Sequence, residues 1–199
     1  MLVLALDIST KTGWALFKDK HLLVKYGQEE VTVVDYNFRI DKKSHPEKSP
    51  LYPKNFVDSS NEMADKIFAL IKELKPDIIV IENTTKSKNR HSQRWLEWCH
   101  KTIIEKLIEN KRVFQYIDVS EWRSRLNIKL SKEDKKNNIK VNKAKKLGKS
   151  KKEMNVKGKI KSKHISVRYC NQQYNLNFKL KDNNIADAIC VGSAYLINI

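Results

Sequence analysis

The order of apolar segments along the chain predicts a mixed α/β domain built on one central sheet. Three observations carry that expectation. Met1–Leu6 and Asp77–Glu82 are short runs, almost wholly apolar before their acids, as strands covered on both faces are. Gly13–Lys18 and His21–Tyr26 are strand-like runs on either side of Asp19-Lys20, the pattern of a hairpin. Phe56–Leu74 and Gln93–Asn110 carry their apolar residues at helical spacing.

The stretch from Gln28 to Asn55 contains Pro46, Pro50 and Pro53, which predict a loop over its second half. In the helix that follows, Phe56, Met63, Ile67, Leu70, Ile71 and Leu74 share one face, and Pro76 stops it. The D-I-I-V-I-E run comes next as a buried strand. The second helix has Leu96, Cys99, Ile103, Leu107 and Ile108 as its inner stripe. Arg112–Val119 reads as a further strand, and two helices near Lys161–Tyr174 and Asn184–Leu196 close the chain. The element order is β-β-β-α-β-α-β-α-α. At 199 residues this is one domain spanning positions 1–199, with no internal repeat.

Forty Lys and Arg against 23 Asp and Glu leave a formal charge of +17. Such a surplus favours a polyanionic partner. No apolar run is long enough to span a bilayer, and Met1–Leu6 lacks the basic flank of a signal peptide, so no membrane partner and a cytoplasmic location are expected. Cys99, Cys170 and Cys190 form no C-x-x-C pair, and the expectation is buried thiols rather than a zinc site. From Ser131 to Arg168, fourteen lysines and one arginine face three acids, a surplus of twelve within the +17. Helical periodicity there is poor until Lys161. The segment at about 129–160 therefore reads as a solvated, mobile, lysine-rich insertion, suited to lie on phosphates.

The acids are the chemical signal. Asp7 and Glu82 each end a buried strand, where a carboxylate is costly unless something positive meets it. If the two strands are parallel neighbours, both acids emerge at the sheet edge where α/β folds bind ligands. Asp187 sits in the first turn of the last helix, followed by small and apolar residues that pack closely on a sheet. Taken singly, each acid could be a strand or helix cap. Clustered, they require a cation, and hard oxygen donors without His or Cys point to Mg²⁺, with Mn²⁺ as a substitute. Two such ions on a carboxylate cluster are a device for hydrolysing phosphodiesters. The residues read as a metal-dependent nuclease.

The N-terminal L-A-L-D-I-S-T-K-T-G-W-A-L resembles the first-strand motif of RuvC-type Holliday junction resolvases, members of the ribonuclease H superfamily. I-V-I-E followed by Asn89 and Ser92 is similar to the family's second acid and following helix, and Asn184-Ile-Ala-Asp-Ala-Ile to its closing motif. The resemblance implies a ribonuclease H-like fold with a five-stranded mixed sheet flanked by helices. It implies a homodimer that makes paired nicks across a four-way DNA junction. It also implies Asp7, Glu82 and Asp187 as catalytic metal ligands. Asn184 stands where the family usually has Asp or His. Its side-chain carbonyl can still serve a hard cation, and Asp182, a little further back and before the helix, is taken as the replacement catalytic carboxylate. Thr85 stands where the family often has an aromatic. The long 28–55 connection and the lysine-rich segment resemble compact phage relatives, which would place the protein in a host cytoplasm.

Lys86, Lys88, Arg90 and Arg94 follow Glu82 closely and read as phosphate-positioning residues. Arg123, Lys143 and Lys146 are further DNA-binding candidates. Trp95 and Trp98, at i and i+3, read as core or dimer interface. Trp122 beside Arg123 could touch DNA or simply be partly buried, and His164 receives no role. Three rival readings stand beside the resolvase. D-I-S-T-K-T-G also looks like the first phosphate motif of actin-like kinases, but the chain is too short for their two domains and shows no second such motif. A catalytically inactive branched-DNA-binding protein is kept open by Asn184, and an RNA–DNA hybrid ribonuclease by the superfamily.

Overall fold

The structure, a computed structural model, describes residues 1–19, 22–32, 53–83, 90–148 and 158–197. Five strands form one sheet: β1 (Leu2–Asp7), β2 (Lys11–Lys18), β3 (Leu22–Glu30), β4 (Ile78–Glu82) and β5 (Phe114–Ile117). Their spatial order is β3-β2-β1-β4-β5. β1 runs antiparallel to β2 and parallel to β4, and β5 is parallel to β4. The helices are α1 (Lys54–Leu74), α2 (Arg90–Glu109), α3 (Val119–Arg125), α4 (Lys132–Lys146), α5 (Ser162–Tyr174) and α6 (Asn183–Leu196). A 3₁₀ turn, Leu180–Asp182, leads into α6.

Because side chains alternate along a strand, the central strands feed two cores at once. Val3, Ala5, Phe17, Ile78 and Val80 pack with α6 and α5 on one face. Leu4, Leu6, Leu16, Ile79 and Ile81 pack with the stripes of α1 and α2 on the other. Two-sided burial is why β1 and β4 are continuous apolar runs. α6 lies unusually close to the sheet. At Gly192 an added Cβ would come within 2.3 Å of the Phe17 ring.

The predicted order of strands and long helices holds, with three differences. β3 continues to Glu30, because charged Glu29 and Glu30 lie on an edge strand where both acids reach solvent. The remainder of the proline-containing connection, 33–52, lies outside the described residues. The short helix α3 was not legible as an element, being only seven residues long.

The third difference is in the lysine-rich segment, where residues 132–146 form α4. Ser131 and Asp134 make a reciprocal capping box at its start, with bonds of 3.0 and 3.2 Å. Both Asp134 oxygens accept from the Arg168 guanidinium of α5, at 3.0 and 3.3 Å. That pairing holds the Asp134 carboxyl below its usual range. Asn138 bonds both the N–H and the carbonyl of Ile160 at 2.8 Å. The inner face of α4 is thus held largely by polar clips, which explains the weak apolar periodicity. Residues 149–157 of the expected insertion lie outside the described ones.

Candidate metal and nucleic-acid site

The parallel pairing of β1 and β4 sets Leu6 opposite Ile81, so the next residues, Asp7 and Glu82, leave the sheet side by side. The antiparallel partner of Asp7 on β2 is Gly13. That glycine lets the start of α6 come down on the sheet. An added Cβ at Gly13 would lie 2.0 Å from the Asn184 carbonyl oxygen. The approach brings Asp187, one turn into α6, to the same edge. Asp7, Glu82 and Asp187 line one cavity of about 880 Å³. The three acids are 75 and 105 residues apart in sequence.

Asp7 and Glu82 are half-buried, and Asp187 is 8% exposed. Asp187 Oδ1 is buried and makes no hydrogen bond. Burial raises all three carboxyls. Asp7 is pushed well above the usual carboxylate range by desolvation, then by the charges of Glu82 and Asp187. Glu82 is pushed up to about 7 by desolvation and by Asp187, against a hydrogen bond from Trp122 and the charges of Arg123 and Lys163. Asp187 is raised by desolvation, eased by the nearby Ser166 hydroxyl, Arg123 and Lys163. Among the described residues, no three Asp, Glu, His or Cys side chains close around a common point as a finished ion cage. The three carboxyls share the cavity, and each is raised because burial disfavours its charged form, with like neighbours adding to this at Asp7 and Glu82. An all-oxygen donor set with an orphaned buried oxygen fits a hard divalent cation.

Raised carboxyls have a measurable consequence. A glutamate that binds its proton more tightly when folded stabilises the fold fully below its ordinary value of 4.5. That contribution is lost as pH rises through about 7. His100 acts oppositely. Burial lowers its ring from 6.5 to about 4, so its contribution is lost as pH falls through that window. A Glu82→Gln variant isolates the first effect. In chelator, its melting temperature should exceed that of the wild type at pH 8 and converge with it toward pH 4. Parallel curves for the two proteins would contradict the assignment.

The other candidate residues separate clearly. Asn184 lines the cavity, but its amide is engaged: Nδ2 donates to the Lys11 carbonyl at 2.6 Å, and Oδ1 accepts from Asn183. Asp182 is not among the cavity-lining residues. Its Oδ2 accepts from the Lys179 backbone N–H at 2.7 Å, capping the 3₁₀ turn. The structure therefore does not bring Asp182 to the other three acids: its neighbours Lys181 and Asn183 line the cavity, while its own carboxylate is spent on capping the 3₁₀ turn. Arg123 lines the cavity. Arg90 and Arg94 are exposed on the first turns of α2, and Lys143 and Lys146 on the last turn of α4; none of these four lines it. Thr85, Lys86, Lys88 and Asn89 lie outside the described residues.

Sequence reasoning missed the cationic rim. Lys11, Lys161, Lys163 and Lys181 line the same cavity as the acids. Lys161 and Lys163 fall in the lysine-rich 131–168 stretch without standing out from its other lysines, and Lys11 and Lys181 carry no mark in the sequence, since what distinguishes all four is position in space. It also missed His100, which borders the cavity, stacks on Tyr116 and bonds its hydroxyl through Nδ1 at 2.9 Å. Trp95, read as core or interface, is buried and donates from Nε1 to Ser59 of α1 at 2.8 Å.

No protein-family model matches the chain, and no curated protein sequence does. Solved structures do match in fold. The chain is similar to Thermus thermophilus RuvC in complex with a Holliday junction substrate, with a TM-score of 0.60 at 8% identity over 98% of this chain and 91% of that one. Thermus thermophilus RuvC in a second structure gives 0.59 at 9% identity, covering 98% and 92%. The yeast mitochondrial Holliday junction resolvase Ydc2 gives 0.53 at 12% identity, covering 98% and 77%. With sequence identity this low, the likeness is one of backbone architecture. The chain has the α/β, ribonuclease H-like fold of RuvC-type junction resolvases, with its central mixed sheet flanked by helices.

Proposed function

We propose that the protein is a divalent-metal-dependent endonuclease that resolves four-way DNA junctions by paired phosphodiester hydrolysis. One observation carries this reading: acids from three remote segments line one cavity whose rim is lysine and arginine. An acidic floor suits cations, and a cationic rim suits phosphates. Together they suit a phosphodiester bridged to metal. The fold neighbours, one of them solved on a Holliday junction substrate, support branched DNA as the partner.

Asp7, Glu82 and Asp187 would hold the metal, Mg²⁺ or Mn²⁺, with two ions per site as the working stoichiometry. When bound, such ions supply an activated water and stabilise the leaving oxygen. The chain's own groups do the rest. Arg123 and Lys163 face the acids and offset phosphate charge at the cavity. The exposed lysines of α4 extend the positive surface along a duplex, orienting it without reading sequence. A homodimer would present two such sites to a symmetric junction.

A second reading has its own observation. Asn184 and the unclosed acid cluster suit a protein that binds branched DNA without cutting it. Labelled four-way junction, linear duplex and RNA–DNA hybrid, each incubated with Mg²⁺ and with chelator, separate the cases. Paired nicks in the junction only with Mg²⁺ are expected. Tight junction binding with no cleavage in either condition would establish the inactive binder. Cleavage of the hybrid alone would make the protein a ribonuclease H.

A further inference from the structure

Trp122 is fully buried, yet its indole Nε1–H donates to Glu82 Oε2 at 2.9 Å across 40 residues of sequence. The surrounding backbone fixes this contact. The Asn83 N–H bonds the Ile117 carbonyl at 2.9 Å, and Asn83 Nδ2 bonds Asp118 at 2.7 Å. The end of β4 is therefore tied to the start of α3, whose first turn carries Trp122. The Arg123 guanidinium stands 4.8 Å from the Trp122 ring centroid, and its Nε is buried without a hydrogen bond.

Core packing alone does not require this arrangement. A phenylalanine would fill much of the same space without an N–H to satisfy. The one polar atom of the buried ring is instead spent on a carboxylate that lines the cavity, a charge-assisted bond between groups that cannot drift. Anchoring one oxygen limits where the carboxylate can swing and leaves Oε1 for another partner. Residues that orient a ligand in this way typically change metal affinity 10–100-fold when altered.

We propose that Trp122 is a positioning residue for the cation site: its indole N–H orients Glu82, and its ring face seats Arg123 beside the same cavity. The inference rests on the reading of Asp7, Glu82 and Asp187 as a divalent-cation site.

The test titrates Mn²⁺ into DNA-free protein by calorimetry, for wild type and Trp122→Phe. The variant should bind Mn²⁺ about tenfold more weakly or worse. It should need correspondingly more Mg²⁺ for half-maximal junction cleavage, while junction affinity in chelator stays within about twofold. Equal Mn²⁺ affinity in a folded variant overturns the positioning role and leaves the nuclease reading standing. No Mn²⁺ binding by the wild type overturns both.

Should Trp122→Phe fail to fold, the indole ¹H–¹⁵N resonances of the protein's four tryptophans decide. The resonance displaced in Glu82→Ala should be the one that Mn²⁺ broadens first in the wild type. Indole resonances indifferent to Glu82→Ala overturn the proposal.

Discussion

Asp7→Asn is expected to lose junction cleavage by about 10³-fold or more, and to melt at a higher temperature than the wild type in chelator. The first effect follows from the cavity. Asp7 contributes one of three carboxylates to it, and an amide lacks the charge that holds a hard cation. Lewis-acid stabilisation of several kcal/mol corresponds to about three decades of rate. The second effect follows from the same carboxylate without its cation. Ionised Asp7 is held partly out of water, beside two like charges. Asn keeps the shape and removes the charge. Adding Mg²⁺ should reverse the order of stability, because only the wild type gains by binding the ion. Gel assays of cleavage, and thermal melts at pH 8 with chelator and with Mg²⁺, read both effects. Junction binding in chelator should be unchanged. A variant that cuts normally, or that is less stable than wild type in chelator, contradicts the assigned role.

Gly13→Ala should destabilise the fold by about 3 kcal/mol and remove cleavage with it. A Cβ there meets the Asn184 carbonyl oxygen at 2.0 Å, its carbon at 2.3 Å and the Ile185 nitrogen at 2.7 Å. All three atoms are backbone, so no side-chain rotation relieves the clash. Overpacking costs 1–3 kcal/mol, and the upper end applies where a helix must move. For a domain of this size that is a fall in melting temperature of roughly 6–12 °C. The start of α6 would be pushed off β2, carrying Asp187 away from Asp7. Gly148→Ala is the control for the general cost of losing a glycine, because a Cβ there meets nothing within 4 Å, although its φ of +65° adds local strain. If Gly13→Ala were no worse than Gly148→Ala, the close approach would not be what brings Asp187 to the site.

Much of this was legible along the chain. Strands buried on both faces write themselves as apolar runs, so β1 and β4 are visible with their terminal acids. The stripes of α1 and α2 are visible because each helix buries one face, although Ile108, read as part of the α2 stripe, is exposed at the end of that helix. α4 was obscured for the converse reason: its inner face is largely Asp134, Asn137 and Asn138, which hold by hydrogen bonds and leave no hydrophobic period. Spacing puts Asp182 near the closing motif, but spacing does not show that its carboxylate caps the turn before α6.

Local chemistry, then, came from the residues alone: which segments are strands, where carboxylates end them, how much positive charge the chain carries and where it concentrates. Periodicity and composition are properties of neighbours in sequence. The meeting of Asp7, Glu82 and Asp187, the ring of Lys11, Lys161, Lys163 and Lys181 about them, and the hand of Trp122 on Glu82 depend on strand order, on the parallel register of β1 and β4, and on how closely α6 lies on Gly13. Those contacts join residues tens to more than a hundred positions apart. They exist only once burial of both sheet faces has chosen one packing of the helices.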